Sequence, residues 1–291
     1  MPPEIESGSF AADSVTRLLE RLAYQVNAAV HSQGEETIHD LRVAVRRFNQ
    51  SLAVFQDLYG AKELKKIRRR LKRMMDLTSE IRDCDVALEL LEKSELPGAA
   101  PMAQKLSERR KEGVRMLLPG LRGWAARRTT ARWRAALTPN GASHTPLADM
   151  VRKRLPRIGK KFVKDCERAD SATQLHKARI AGKKLRYSVE LIQPAYDGSL
   201  DDAIERVKGL QTLLGKVHDC HATRALVEDA GGDADLESWL KKRQKKKIRE
   251  FRDGWPEAET GLREALRTLK HPARKPVAKA PAKAPAKTQT A

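Results

Sequence analysis

The chain has 291 residues, with 58 Lys and Arg against 38 Asp and Glu, a formal net charge of +20 and only 4% aromatic residues. That balance selects polyanionic partners: nucleic acid, an inorganic phosphate polymer or an anionic membrane surface. No apolar run approaches the ~20 residues of a membrane span. The opening Met1-Pro2-Pro3-Glu4-Ile5-Glu6 has neither the basic nor the apolar region of a signal peptide. The three cysteines, Cys84, Cys166 and Cys220, are odd in number and embedded in helical patterns, and read as reduced packing residues of a cytoplasmic protein.

Helical periodicity runs nearly everywhere and β signals are scarce, so the fold class is all-α. The spacing predicts helices at about 11–31, 37–59, 61–93 and 101–137, the last interrupted at Pro119-Gly120. A breaker-rich linker follows, Thr138-Pro139-Asn140-Gly141-Ala142-Ser143-His144-Thr145-Pro146. The plan then recurs at about 147–169, 173–193, 199–229 and 233–268, with an interruption near Gly254-Trp255-Pro256 and a kink expected at Pro156. Short connections favour antiparallel neighbours, so 8–137 and 147–269 each read as a four-helix bundle. Residues 270–291 are rich in Lys, Ala and Pro and hold no acid. Regular proline bars a helix and nothing there can be buried, so this stretch reads as a disordered basic tail.

One segment is written twice. Ile38-His39-Asp40-Leu41-Arg42-Val43-Ala44-Val45-Arg46-Arg47-Phe48 returns as Leu175-His176-Lys177-Ala178-Arg179-Ile180-Ala181-Gly182-Lys183-Lys184-Leu185. A second echo follows in the same order: Ile81-Arg82-Asp83-Cys84-Asp85 and Val217-His218-Asp219-Cys220-His221. Two motifs repeated in one order imply a duplicated unit. On a helical wheel Leu41, Ala44, Val45, Phe48, Leu52 and Phe55 form one stripe, with His39, Arg42, Arg46 and Gln50 opposite and Arg47 on the flank. In the second copy Ala178, Ala181, Gly182, Leu185, Val189 and Ile192 make the stripe; His176, Arg179 and Lys183 share the outer face, with Arg186 at its edge.

These nearly all-positive faces suit anion binding better than a mixed solvated surface does. Thr37 is a plausible N-cap placing His39 in a first turn, where free N–H groups favour an anion; Ser171 with Gln174, or Thr173, caps the second copy. The run Lys65, Lys66, Arg68, Arg69, Arg70, Lys72 and Arg73 is either a further part of the site or an exposed basic helix, and Lys208 and Lys216 are its sparser counterparts. Lys160, Lys161 and Lys164 extend the positive surface. Asp40, Asp83 and Asp219 either orient the cations or serve as ordinary ion-pair partners; Tyr187 either caps the groove or packs in the core.

His218 and His221 have the i, i+3 spacing of a metal pair, but zinc needs three or four converging ligands and the first copy has Arg82 and Asp85 there, so metal binding is the lesser alternative. No nucleophile elbow and no Gly-rich phosphate loop occurs, and neither an enzymatic activity nor a cofactor is expected.

The paired segments resemble the two signatures of the CHAD family, the conserved histidine α-helical domain, and Ile81-Arg82-Asp83-Cys84-Asp85-Val86 and Leu214-Gly215-Lys216-Val217-His218-Asp219 resemble its following helices; the likeness covers about residues 8–269. It implies two four-helix bundles related by pseudo-two-fold symmetry, with a basic groove for inorganic polyphosphate. The residues it marks are His39, Arg42, Arg46, Arg47, Arg82, His176, Arg179, Lys183, Lys184, Arg186 and His218, joined by Lys66, Arg69, Arg70, Arg73 and Lys208 from the third helices. Some relatives carry a triphosphate-tunnel catalytic domain ahead of this one; only about ten residues precede the first helix here, so that domain is expected to be absent. Asn49 stands where the second copy has Arg186, so unequal half-sites are expected. The rival partner is DNA, contacted non-specifically through residues 270–291, and the expected location is the cytoplasm, on polyphosphate granules or with the nucleoid.

Overall fold

The computed structural model describes residues 5–139, 145–195 and 200–268. The tail 270–291 and most of the expected linker lie outside them. The described chain forms ten helices: α1 (Ser7–His31), α2 (Glu35–Val54), α3 (Ala61–Leu77), α4 (Ser79–Glu92), α5 (Ala99–Ala126), α6 (Thr129–Ala136), α7 (Leu147–Glu167), α8 (Ala172–Ile192), α9 (Asp201–Asp229) and α10 (Ala234–Thr268). Among the described residues there is no strand, only an isolated antiparallel bridge between Glu6 and Pro146. That bridge is reciprocal: the Ser7 amide donates to the Thr145 carbonyl (3.0 Å) and the Leu147 amide to the Ile5 carbonyl (2.9 Å). The two units are thereby joined at equivalent points, just ahead of their first helices.

The same symmetry governs the helix packing. Helix α2 packs on α8, its sequence copy, and α4 packs on α9. Both apolar stripes read from the sequence are buried, from Leu41 to Phe55 and from Ala178 to Ile192. The units do not keep separate cores, for one apolar cluster runs from Ala11 to Leu266 and draws on both. A smaller cluster closes the α4/α9 end, where Cys84, Met102 and Leu106 meet Leu226, Leu236 and Leu240. All three cysteines are free and buried. Burial pushes the Cys84 thiol up to about 11, so it packs as a small apolar group.

Several helix boundaries differ from the sequence expectation. The helix expected over 61–93 is two, broken at Thr78, which is fully buried and whose hydroxyl donates to the Met74 carbonyl (2.9 Å). Its counterpart α9 runs unbroken. Pro119 and Pro256 do not interrupt α5 and α10, although an interior proline removes a backbone hydrogen bond. Buried residues flank each on both sides, Leu117 and Leu121 in α5, Phe251 and Leu262 in α10, and packing outweighs the local defect. The break in the first unit comes later, at Arg128, whose φ of 47° is left-handed. The chain turns there so that α6 folds back, Trp133 stacks on Phe48 (centroids 5.9 Å) and Trp124 meets Trp133 edge-on (4.9 Å). Pro156 likewise lies inside α7 without ending it.

Candidate functional site

The outer faces of α2 and α8 do not look into open solvent. They converge, with parts of α3, α4 and α9, on a cavity of about 670 Å³ lined by His39, Arg42, Arg46, Arg82, His176, Arg179, Lys183, Lys184 and His218, with Asp76, Asp83 and Asp219 as its carboxylates. Each motif helix places its histidine at the fifth helical residue, since α2 begins at Glu35 and α8 at Ala172. The caps differ. Ser171 and Gln174 form a capping box, whereas α2 starts from Gly34 with no side-chain cap. Thr37 is therefore not the cap, and His39 lies beyond the free N–H groups of the first turn.

The two half-sites are chemically unequal. Arg42 is pinned: its Nη1 donates to the Met75 carbonyl (3.1 Å) and the Thr78 hydroxyl (2.9 Å), both at the break between α3 and α4. Its symmetry mate Arg179 lies beside unbroken α9; its Nε is buried without a hydrogen-bond partner among the described residues. Arg82 donates to Glu35 (2.6 Å). The matching position holds His218, whose Nδ1 lies 3.3 Å from Nδ1 of His176. Arg46 donates from Nε to the Tyr187 hydroxyl (3.2 Å). Tyr187 is buried with Arg186 over its ring at 4.8 Å, so it both packs and positions Arg46. Gln50, placed by the wheel on the outer face, is buried and donates to Ser188 (2.8 Å), tying α2 to α8. The expected inequality thus arises from Thr78 and His218 more than from Asn49 and Arg186.

Crowded cations in a partly dry site lose their charge more readily. Burial first, then Arg179, Arg46 and Arg42, bring Lys183 down to about 6. Burial, Arg179 and His176 bring His218 down to about 3. His39 is lowered by burial and Arg82, and His176 by burial and Arg179. Burial raises Asp83 and Asp219 against the opposing pull of their arginines: Arg42 and Arg179 for Asp83, Arg179 and Arg82 for Asp219. Both aspartates line the cleft with Arg42, Arg82 and Arg179. Asp40 lies elsewhere, accepting from Gln25 (3.2 Å).

The remaining sequence candidates are not brought into this cleft. Arg47 (3.1 Å) and Arg186 (3.2 Å) share Glu190. Lys208 pairs with Glu205 (2.6 Å) and, with Arg47, lines a neighbouring depression. Lys66 pairs with Glu63 (2.7 Å), Arg69 is exposed, and Arg70 and Arg73 border an apolar trough with Met116 and Trp124. The basic face of α3 points away because Leu64, Ile67 and Leu71 turn inward. Ser79 and Asp76, which the motifs did not mark, do line the cleft. Among the described residues no group of three or more His, Cys, Asp or Glu could hold a metal ion, and no helix is long and apolar enough to cross a membrane.

No curated protein matches the sequence. Among solved structures, the CHAD domain from the plant Ricinus communis is similar with a TM-score of 0.72 at 17% identity, covering 94% of this chain and 96% of that one. PptA from Streptomyces chartreusis is similar with a TM-score of 0.62 at 16% identity, covering 90% of this chain and all of that one. Those likenesses establish the helical fold. The sequence itself matches the CHAD domain over residues 14–228, from within α1 to the end of α9, and the chain is a member of the CHAD domain family.

Proposed function

We propose that this chain is a non-catalytic receptor for inorganic polyphosphate, which it holds in the cleft between α2 and α8. The observation that carries the reading is Arg179, half-buried with a buried Nε that has no hydrogen-bond partner among the described residues, set among cations that outnumber the carboxylates around them. A buried unpaired donor is costly, and a charged one more so. A phosphate oxygen would satisfy it and lift the charge penalty on Lys183. The cleft's volume is in the range of single-ligand pockets, which suits one unbranched strand and not a duplex. Tyr187 is buried with its faces taken by arginines, so it offers no stacking platform for bases. The family resemblance points to the same polymer. Such a receptor would reside on polyphosphate granules.

The test is competition between polyphosphate and duplex DNA at equal charge concentration. Replacing Arg46 and Arg179 together by Ala should weaken polyphosphate binding at least ~100-fold, from ~1.5–3 kcal/mol per charge-assisted contact, and leave helical circular dichroism intact. Unchanged polyphosphate affinity in that variant would overturn the reading. Preferential DNA binding lost in the same variant would assign the cleft to nucleic acid.

A further inference from the structure

Helices α5 and α10 are equivalents in the two units, and their buried positions give the alignment: Met102 with Leu236, Leu106 with Leu240, Leu117 with Phe251. On that register Glu108 and Glu112 of α5 correspond to Lys242 and Lys246 of α10. In α5 those acids neutralise their own helix, Glu108 holding Lys111 and Glu112 holding Arg115. In α10 the segment 241–249 reads Lys-Lys-Arg-Gln-Lys-Lys-Lys-Ile-Arg, with no acid. Lys242, Lys245, Lys246 and Arg249 recur at i, i+3, i+4 and i+7, so they share one face; all four are exposed, and none forms an ion pair with another described residue, whereas Lys247 beside them pairs with Glu250. One unit therefore balances its charge where the other concentrates it.

The basic row lies on the helix packed against α9, which carries His218 of the cleft. His218 lines the cleft, and His221 lies one turn further along α9, exposed. The charge of His221 reaches both His176 and His218, and Arg243 and Lys247 of α10 act on Cys220 beside it. In the first unit the position equivalent to His221 is Asp85, buried and held by Arg110 (2.5 Å). At this position the second unit thus holds an exposed imidazole where the first holds a buried ion pair.

We propose that a long polyphosphate chain leaves the cleft over His221 and continues along the outer face of α10, on Lys242, Lys245, Lys246 and Arg249. This rests on the cleft reading and adds to it a direction and a dependence on chain length. A short polymer fills the cleft alone. A long one gains the α10 row as a tethered second site, which raises affinity without a second binding event from solution.

The experiment compares short-chain and long-chain polyphosphate, matched in total phosphate, on the full chain. Three proteins are needed: the native sequence, Lys242→Glu with Lys246→Glu (the acids that α5 carries), and Arg46→Ala with Arg179→Ala. The native protein should favour the long chain at least ~10-fold. The α10 variant should keep its short-chain affinity within about twofold, lose that advantage, and show a long-chain salt slope shallower by about 1.4, from ~0.7 per lost phosphate contact. Both lysines are exposed, so its helical content should be native; Lys245→Ala with Arg249→Ala should repeat the result. An α10 variant that retains the full long-chain advantage, or loses short and long chains equally, overturns the proposal. So does one that loses duplex DNA while keeping the advantage, since the face would then serve nucleic acid. Short chains bound normally by the Arg46→Ala, Arg179→Ala variant would overturn the cleft reading, and the proposal with it.

Discussion

Replacing Lys183 by Met tests the electrostatics of the cleft directly. Lys183 is lowered from 10.5 to about 6, first by burial and then by Arg179, Arg46 and Arg42. One pKa unit is ~1.36 kcal/mol, so holding the ammonium charged in the folded protein costs at most on the order of 6 kcal/mol. The side chain is only partly withdrawn from solvent, and roughly half that figure is the working value. The sign follows from proton binding. Between pH 6 and 10.5 the unfolded chain holds this proton and the folded chain has released it, so native stability rises with pH across that window. The Met variant lacks the term. It should be more stable than the native protein, most of all at and below pH 6, and the gap should close as pH rises. Urea denaturation at pH 6, 7.5 and 9 should show the gap narrowing by ~2–4 kcal/mol over the series. Polyphosphate should reverse the order, because the bound anion restores the charge that Met cannot carry. Binding by the native protein near pH 7.5 should take up a proton, read as buffer-dependent heat in calorimetry, and the variant should take up less. A gap that stays constant or widens with pH would mean that Lys183 keeps an ordinary charge in the free cleft, and the argument from burial would fail.

Arg179→Ala should weaken polyphosphate binding about 10- to 100-fold with little loss of stability, whereas Arg42→Ala should cost ~1–3 kcal/mol of stability through the bonds to Met75 and Thr78; thermal melts and binding isotherms in the reverse order would refute the half-site assignment. His39→Gln with His176→Gln should flatten the fall in affinity between pH 6 and 8, because an anion raises imidazole pKa values that burial and neighbouring arginines lower in the free protein. His218→Arg should give the second half-site the fixed charge of the first and strengthen binding alike at pH 7.5 and pH 5.5, because burial and its cationic neighbours bring His218 down to about 3 and leave it uncharged at both; a gain confined to the higher pH, measured side by side, would speak against a neutral His218. Trp133→Ala should cost ~3–5 kcal/mol in denaturant titration, since the ring is buried against Phe48 and Trp124.

The duplication, the helical class and the buried stripes were legible in the sequence, because helical period and residue type are local properties. Leu41, Phe48 and Leu52, or Ala181, Leu185 and Val189, are core whatever their helices meet. The paired His–Arg–basic pattern likewise marked the side chains that reach the cleft. What one strand of sequence cannot encode locally is the partner. Arg46 and Arg47 are neighbours, yet packing of α2 on α8 turns one into the cleft and hands the other to Glu190. Arg42 and Arg179 are the same residue in the same motif, yet a break at Thr78 gives the first its acceptors, while the second, beside continuous α9, keeps a buried Nε with no partner among the described residues. The basic run of α3 read as either a further part of the site or an exposed basic helix, and the inward Leu64, Ile67 and Leu71 turn it away from the cleft. Pattern decides which face of a helix is charged. Only the docking of helices across the pseudo-two-fold axis decides which charged faces meet, and that meeting is what gathers ordinary surface cations into one cleft.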